Sequence, residues 1–140
     1  MRILVADDNT IVRVDLRAIL EEAGHTVCAE ARDGFEAVEL ARASHPDLAI
    51  LDVKMPRLHG LEAARRILRE QSIPIVIVTG YADHSVAGLA EATRVGASCL
   101  AKPFAEGDVL LAVEEAVQQH RAGRRVGAAL ARRLRERLSR

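Results

Sequence analysis

The sequence predicts an α/β fold: a doubly wound, five-stranded parallel sheet followed by an extended basic helix at the carboxyl end. Two observations carry this. Short apolar runs recur at 3–6, 26–29, 48–51, 75–78 and 98–101, and each is followed by a longer stretch of helical periodicity, which makes five βα units. The composition agrees, because 49% of the 140 residues are hydrophobic while only one Tyr, two Phe and no Trp are present. A core of Ala, Val, Leu and Ile suits helices packed on a parallel sheet.

The runs Leu48-Ala49-Ile50-Leu51 and Ile75-Val76-Ile77-Val78 show no polar alternation, as expected of strands covered on both faces. Ile11, Val12, Leu16, Ile19 and Leu20 form one helical stripe that ends at Ala23-Gly24, where glycine accepts the left-handed cap conformation. Asp33-Gly34 opens a second helix marked by Phe35, Val38 and Leu40, and Leu61, Ala64, Ile67 and Leu68 mark a third. Val86, Leu89, Ala90 and Thr93 mark a fourth, ended by Val95-Gly96, and a fifth begins near Ala105 with Val109, Leu110, Val113 and Val117. Right-handed crossovers turn this order into an open sheet with helices on both faces.

Charge divides the chain into two segments. Residues 1–119 carry 12 basic and 19 acidic side chains, whereas residues 120–140 carry eight Arg against Glu136 alone. The expected organisation is one domain over 1–119 and a basic helical extension over 120–140. No run approaches the roughly 20 apolar residues needed to cross a bilayer, and the amino terminus enters a strand without a cleavable leader, so a cytoplasmic protein without membrane contact is expected. Cys28 and Cys99 lie in apolar segments and read as buried reduced thiols. His25, His45, His59, His84 and His120 share no metal-ligand spacing.

In open α/β sheets ligands bind beyond the carboxyl ends of the strands. Asp7-Asp8, Asp52, Thr79-Gly80 and Lys102-Pro103 stand at four such ends. Carboxylates crowded on one sheet edge call for a hard divalent cation, and Mg²⁺, which takes one or two carboxylates plus a phosphoryl oxygen, fits a phosphoryl-transfer site. Asp52, on the central strand, is the expected nucleophile. Lys102 and the Thr79 hydroxyl then bind phosphoryl oxygens, the Val53 amide assists, and Gly80 leaves a path to the phosphate. Asn9 and Thr10 read first as helix-start residues, and Met55-Pro56 as a bend after Asp52.

As a set, Asp7-Asp8, Asp52 with Met55-Pro56 and Gly60, Thr79-Gly80 and Lys102-Pro103-Phe104 resemble the response-regulator receiver domain of two-component signalling, over about residues 1–119. The resemblance implies the flavodoxin-like strand order 2-1-3-4-5. It also implies a phosphoprotein that forms an aspartyl phosphate on Asp52, supplied by a histidine kinase or phosphotransfer protein. Mg²⁺ would be held by Asp8, Asp52 and the Val53 carbonyl, with Asp7 acting partly through water, and the Lys102-Pro103 bond would be cis. Such a domain is a phosphoacceptor with slow self-phosphorylation and self-dephosphorylation rather than an enzyme.

Two places depart from the family pattern. Cys99 stands where an aromatic switch residue is usual, in a segment from Gly96 to Lys102 that is one residue short. Lys54 and Tyr81 follow Asp52 and Thr79 by two residues each, where they flank the path of an attacking water and help to set the lifetime of the phosphorylated state. Kinase choice is expected from surface side chains of the first helix, such as Arg13, Leu16 and Arg17.

Rival readings are weaker. Haloacid-dehalogenase-like phosphatases also use a strand-end Asp, but with a second Asp where this chain has Lys54. No glycine-rich nucleotide loop follows the first strand. The segments around Asp52 and Lys102, with the long charged helix, resemble receivers of RNA-binding antitermination regulators, here without an output module. In the tail, Val126, Leu130, Leu134 and Leu138 form a slanting apolar stripe beside Arg132, Arg133, Arg135 and Arg137. The expected role is homodimerisation, with nucleic acid second, and Gly123 and Gly127 are expected to weaken a continuous helix, each costing about 1 kcal/mol.

Overall fold

The computed structural model describes residues 1–80 and 86–139. Strands β1 (Arg2–Ala6), β2 (Thr26–Ala31), β3 (Leu48–Asp52), β4 (Ile75–Thr79) and β5 (Ser98–Ala101) alternate with helices α1 (Thr10–Glu22), α2 (Gly34–Ser44), α3 (Gly60–Glu70), α4 (Val86–Arg94) and α5 (Glu106–Leu138). Every strand pairing is parallel, as the sequence pattern predicts, and the order is β2-β1-β3-β4-β5, as the family resemblance implies.

Alternation along the strands divides the core between two faces. Leu4, Leu51 and Ile77 pack with Ala37 and Ala41 of α2 and Ala64 and Ile67 of α3. Ile3, Val5, Ile50 and Val78 pack with Leu16 and Leu20 of α1 and Val109 and Val113 of α5. Every residue of β3 and β4 is buried, which is why neither strand shows polar alternation. Asn9 and Asp33 cap α1 and α2 by accepting backbone N–H groups, and Gly24 and Gly96 take the positive φ values that end α1 and α4.

The strand order reverses at β1, with β2 on one side and β3 on the other, so a crevice opens beyond the ends of β1 and β3.

Three expectations need correction. The buried side of α1 is turned from the one expected: Leu16 and Leu20 face inward as the stripe implies, but Arg13 joins them while Ile11 is 71% exposed. Arg13 and Leu16 are therefore not surface residues for a kinase to read. Second, α5 runs unbroken through Gly123 and Gly127. The Ala, Leu and Arg residues that dominate 121–138 are strong helix formers and offset two glycines. Third, Cys28 and Cys99, on the two edge strands, are free but only half-buried.

Candidate functional site

The parallel sheet brings the expected residues to one edge. Asp7 and Asp8 follow β1, Asp52 ends β3, Thr79 ends β4 and Lys102 follows β5. One oxygen from each of Asp7, Asp8 and Asp52 falls within 4.8 Å of the others. Lys102 reaches over this cluster, with Nζ 2.8 Å from Asp7 Oδ2 and 3.3 Å from Asp52 Oδ2. Its peptide bond to Pro103 is cis, and its N–H donates to the Thr79 carbonyl at 2.8 Å, which ties the end of β5 to the end of β4.

Three carboxylates therefore face one ammonium, and two of them, Asp7 and Asp52, are buried. Burial, and then the neighbouring charge of Asp7, push the Asp52 carboxyl up to about 6 from 3.8, against the pull of Lys102. Burial alone would lower the Lys102 ammonium, but its close ion pairs with Asp7 and Asp52 hold it above the ordinary lysine value.

Asp7 also shows what the cluster lacks. Its Oδ1 accepts the Asn9 N–H at 2.8 Å, while its buried Oδ2 has Lys102 at ion-pair distance but accepts no hydrogen bond of good angle. Among the described residues it is the one buried side-chain polar atom left so. An all-oxygen set with net charge of two minus signs and an underused carboxylate oxygen fits a hard divalent cation.

The surrounding residues are placed as follows. Thr79 is buried, Gly80 half-buried and Lys54 exposed, and Pro103 follows Lys102 at the exposed rim. Cys99 lies half-buried on β5 on the face of α3 and α4, and burial raises its thiol. Tyr81 lies outside the described residues.

One of the two expectations for Val53 requires correction. Its N–H donates to the Val78 carbonyl at 2.9 Å and is thus committed to the sheet rather than to a phosphoryl oxygen. Its carbonyl accepts the Gly60 N–H at 2.8 Å, which occupies one of its two lone pairs and leaves the other for the expected metal-ligand role. That hydrogen bond also explains Gly60: a Cβ there would stand 2.0 Å from the Asp52 carbonyl oxygen, so only glycine lets α3 start against the nucleophile's backbone.

A model of the response regulator receiver domain matches residues 3–114. The chain belongs to that family. It is 42% identical over 121 residues to the transcriptional regulatory protein PdtaR of Mycobacterium tuberculosis, covering 86% of this chain and 58% of the relative. It is 43% identical over 106 residues to protein-glutamate methylesterase/protein-glutamine glutaminase 4 of Myxococcus xanthus, covering 74% of this chain and 30% of that one. This receiver thus spans little more than half the length of the first of these relatives and under a third of the second. Among solved structures, the response regulator domain of Thermotoga maritima CheB superposes with a TM-score of 0.75 at 29% identity, covering 86% of this chain and 96% of that one. Membership of the receiver family sets aside the phosphatase reading.

Arg13 was missed as a part of the receiver's site. Its guanidinium is buried behind the acidic pair, donating to the Asp7 carbonyl at 2.6 Å and to the Thr10 hydroxyl at 3.2 Å, and pairing with Glu30 of β2 at 3.4 Å. Part of the signal lies in the sequence, since Arg13, Leu16 and Leu20 share one helical stripe, and a cation on an apolar stripe needs a buried partner once packing turns that stripe inward.

Proposed function

We propose that this receiver accepts a phosphoryl group on Asp52 from a phosphohistidine of a histidine kinase or phosphotransfer protein. The observation that carries this is Lys102 bridging Asp7 and Asp52 above an oxygen cluster completed by Asp8. A carboxylate oxygen of Asp52 attacks phosphorus, the P–N bond breaks, and the imidazole leaves with its electron pair and takes a proton from solvent. Lys102 Nζ, already 3.3 Å from the nucleophile's carboxylate, follows the charge onto a phosphoryl oxygen, and Thr79 at the end of β4 offers its hydroxyl to another. Mg²⁺ held by Asp7, Asp8 and Asp52 would neutralise the remaining oxygen.

Intact mass after incubation with acetyl phosphate and Mg²⁺ tests the proposal. Wild type should gain one phosphoryl mass and Asp52→Ala none, whereas a gain in both would reject Asp52 as the acceptor.

The phosphodonor docks, in this reading, on the exposed Ile11 and Val14 of α1, one turn from Asp8, with Arg17 beside them. The site acts in the cytoplasm; among the described residues no helix is long and apolar enough to cross a membrane. Residues 1–119 act as the receiver and 120–140 as the element of assembly or output. Likeness to PdtaR supports a transcriptional response.

A further inference from the structure

α5 changes its electrical character half-way. Residues 106–120 carry Glu106, Asp108, Glu114 and Glu115 and no Lys or Arg, while residues 121–138 carry seven Arg against Glu136. The side of the helix that is buried at Val109, Ala112 and Ala116 continues at helical spacing into Leu130 and Leu134, which are 56% and 49% exposed because the helix has by then left the body of the domain. This apolar stripe is flanked by Arg124, Arg133, Arg135 and Arg137. Two such tails side by side in parallel would set arginine against arginine along the whole contact.

An antiparallel arrangement removes the conflict, since each basic half then lies along the acidic half of its partner. The lengths agree: residues 121–138 span about 27 Å and residues 106–120 about 22 Å at ~1.5 Å per residue. The acidic half also offers a seat. Between it and the edge strand β5 lies a hollow of about 270 Å³ lined by Cys99, Ala101, Pro103 and Leu111 and flanked by Asp108 and Glu115, with Leu111 itself 55% exposed.

We propose that two copies of this chain associate head to tail through α5, the Leu130–Leu134 segment of each seating beside Leu111 of the other, with Arg133 facing Glu115 and Arg137 facing Asp108. This deepens the assembly role given above to the tail and is independent of phosphoryl acceptance at Asp52. Opposing Leu111 to Leu134 and Asp108 to Arg137 places the two-fold axis beside Gly123. A Cβ at Gly123 meets nothing within 4 Å in its own chain, so the fold of one copy does not demand glycine there, while two helices crossing at that point gain a closer approach.

A charge swap in the full chain tests the register. Sedimentation velocity should find wild type dimeric. Glu115→Arg alone and Arg133→Glu alone should each associate about tenfold more weakly or worse, because either change sets like charges together twice per dimer. An equimolar mixture of the two should recover the wild-type dimer, since every swapped position then meets its opposite. A monomeric wild type, single variants as dimeric as wild type, or a mixture that stays dispersed would each overturn the proposal, as would a wild type that remains monomeric while binding single-stranded RNA through the tail. Circular dichroism establishes that the variants fold. Labelling of Asp52 by acetyl phosphate, read on the same samples, reports separately on the receiver reading.

Discussion

Asp52→Asn should stabilise the metal-free protein at neutral and alkaline pH. The native carboxyl titrates at about 6 where an unperturbed one titrates at 3.8, so the folded state binds this proton more tightly than the unfolded chain. The stabilisation contributed by that proton is complete below the unfolded value of 3.8 and is lost as pH rises through the folded value of about 6. At ~1.4 kcal/mol per pH unit the difference amounts to about 3 kcal/mol, an upper bound because the open side of the site screens the charges. Asparagine cannot ionise, so its advantage over wild type should be near zero below about pH 4 and reach a plateau of ~2 kcal/mol above about pH 7. Urea unfolding in the presence of a chelator, repeated across that range, measures the curve. Mg²⁺ at about a hundred times its dissociation constant should then return some 2.7 kcal/mol to wild type and less to the variant. A variant less stable than wild type at alkaline pH without metal, or a difference that does not change with pH, would refute the electrostatic account of the cluster.

Other substitutions probe the same frame. Lys102→Met removes the one cation over three carboxylates, so calorimetry should show tighter Mg²⁺ binding while the rate of labelling by acetyl phosphate falls at least about tenfold. Arg13→Gln strips the Asp7 carbonyl and Glu30 of a buried guanidinium and should cost about 2 kcal/mol in urea unfolding and weaken Mg²⁺ binding, with Arg13→Lys recovering part of both. Gly60→Ala forces a methyl group to 2.0 Å from the Asp52 carbonyl oxygen, and a loss of about 3 kcal/mol is expected, read as a lower urea midpoint.

What could be read along the chain was whatever local periodicity and strand polarity control. Five βα repeats imply a parallel sheet, and in a parallel sheet all strands end on one edge. Asp8, Asp52, Thr79 and Lys102 could therefore be assigned to one pocket although 94 positions separate the first from the last. Helix periodicity, by contrast, shows which residues share a stripe but not how far that stripe is turned toward the sheet. Only packing decided that Arg13 of α1 faces inward and Ile11 outward. Backbone hydrogen bonding is equally invisible in side-chain identity: Val53 follows the nucleophile in sequence, yet its N–H and carbonyl are engaged by Val78 and Gly60. The sequence by itself determined the class of fold and the inventory of the site, because both follow from local pattern and chain direction. The tertiary structure decided the 2.8 Å and 3.3 Å distances of Lys102 from its two carboxylates, the burial that raises Asp52, and the point at which α5 leaves the domain with its apolar side uncovered. Those properties depend on distances between elements far apart in sequence, which are set by how side chains fill the space between helix and sheet.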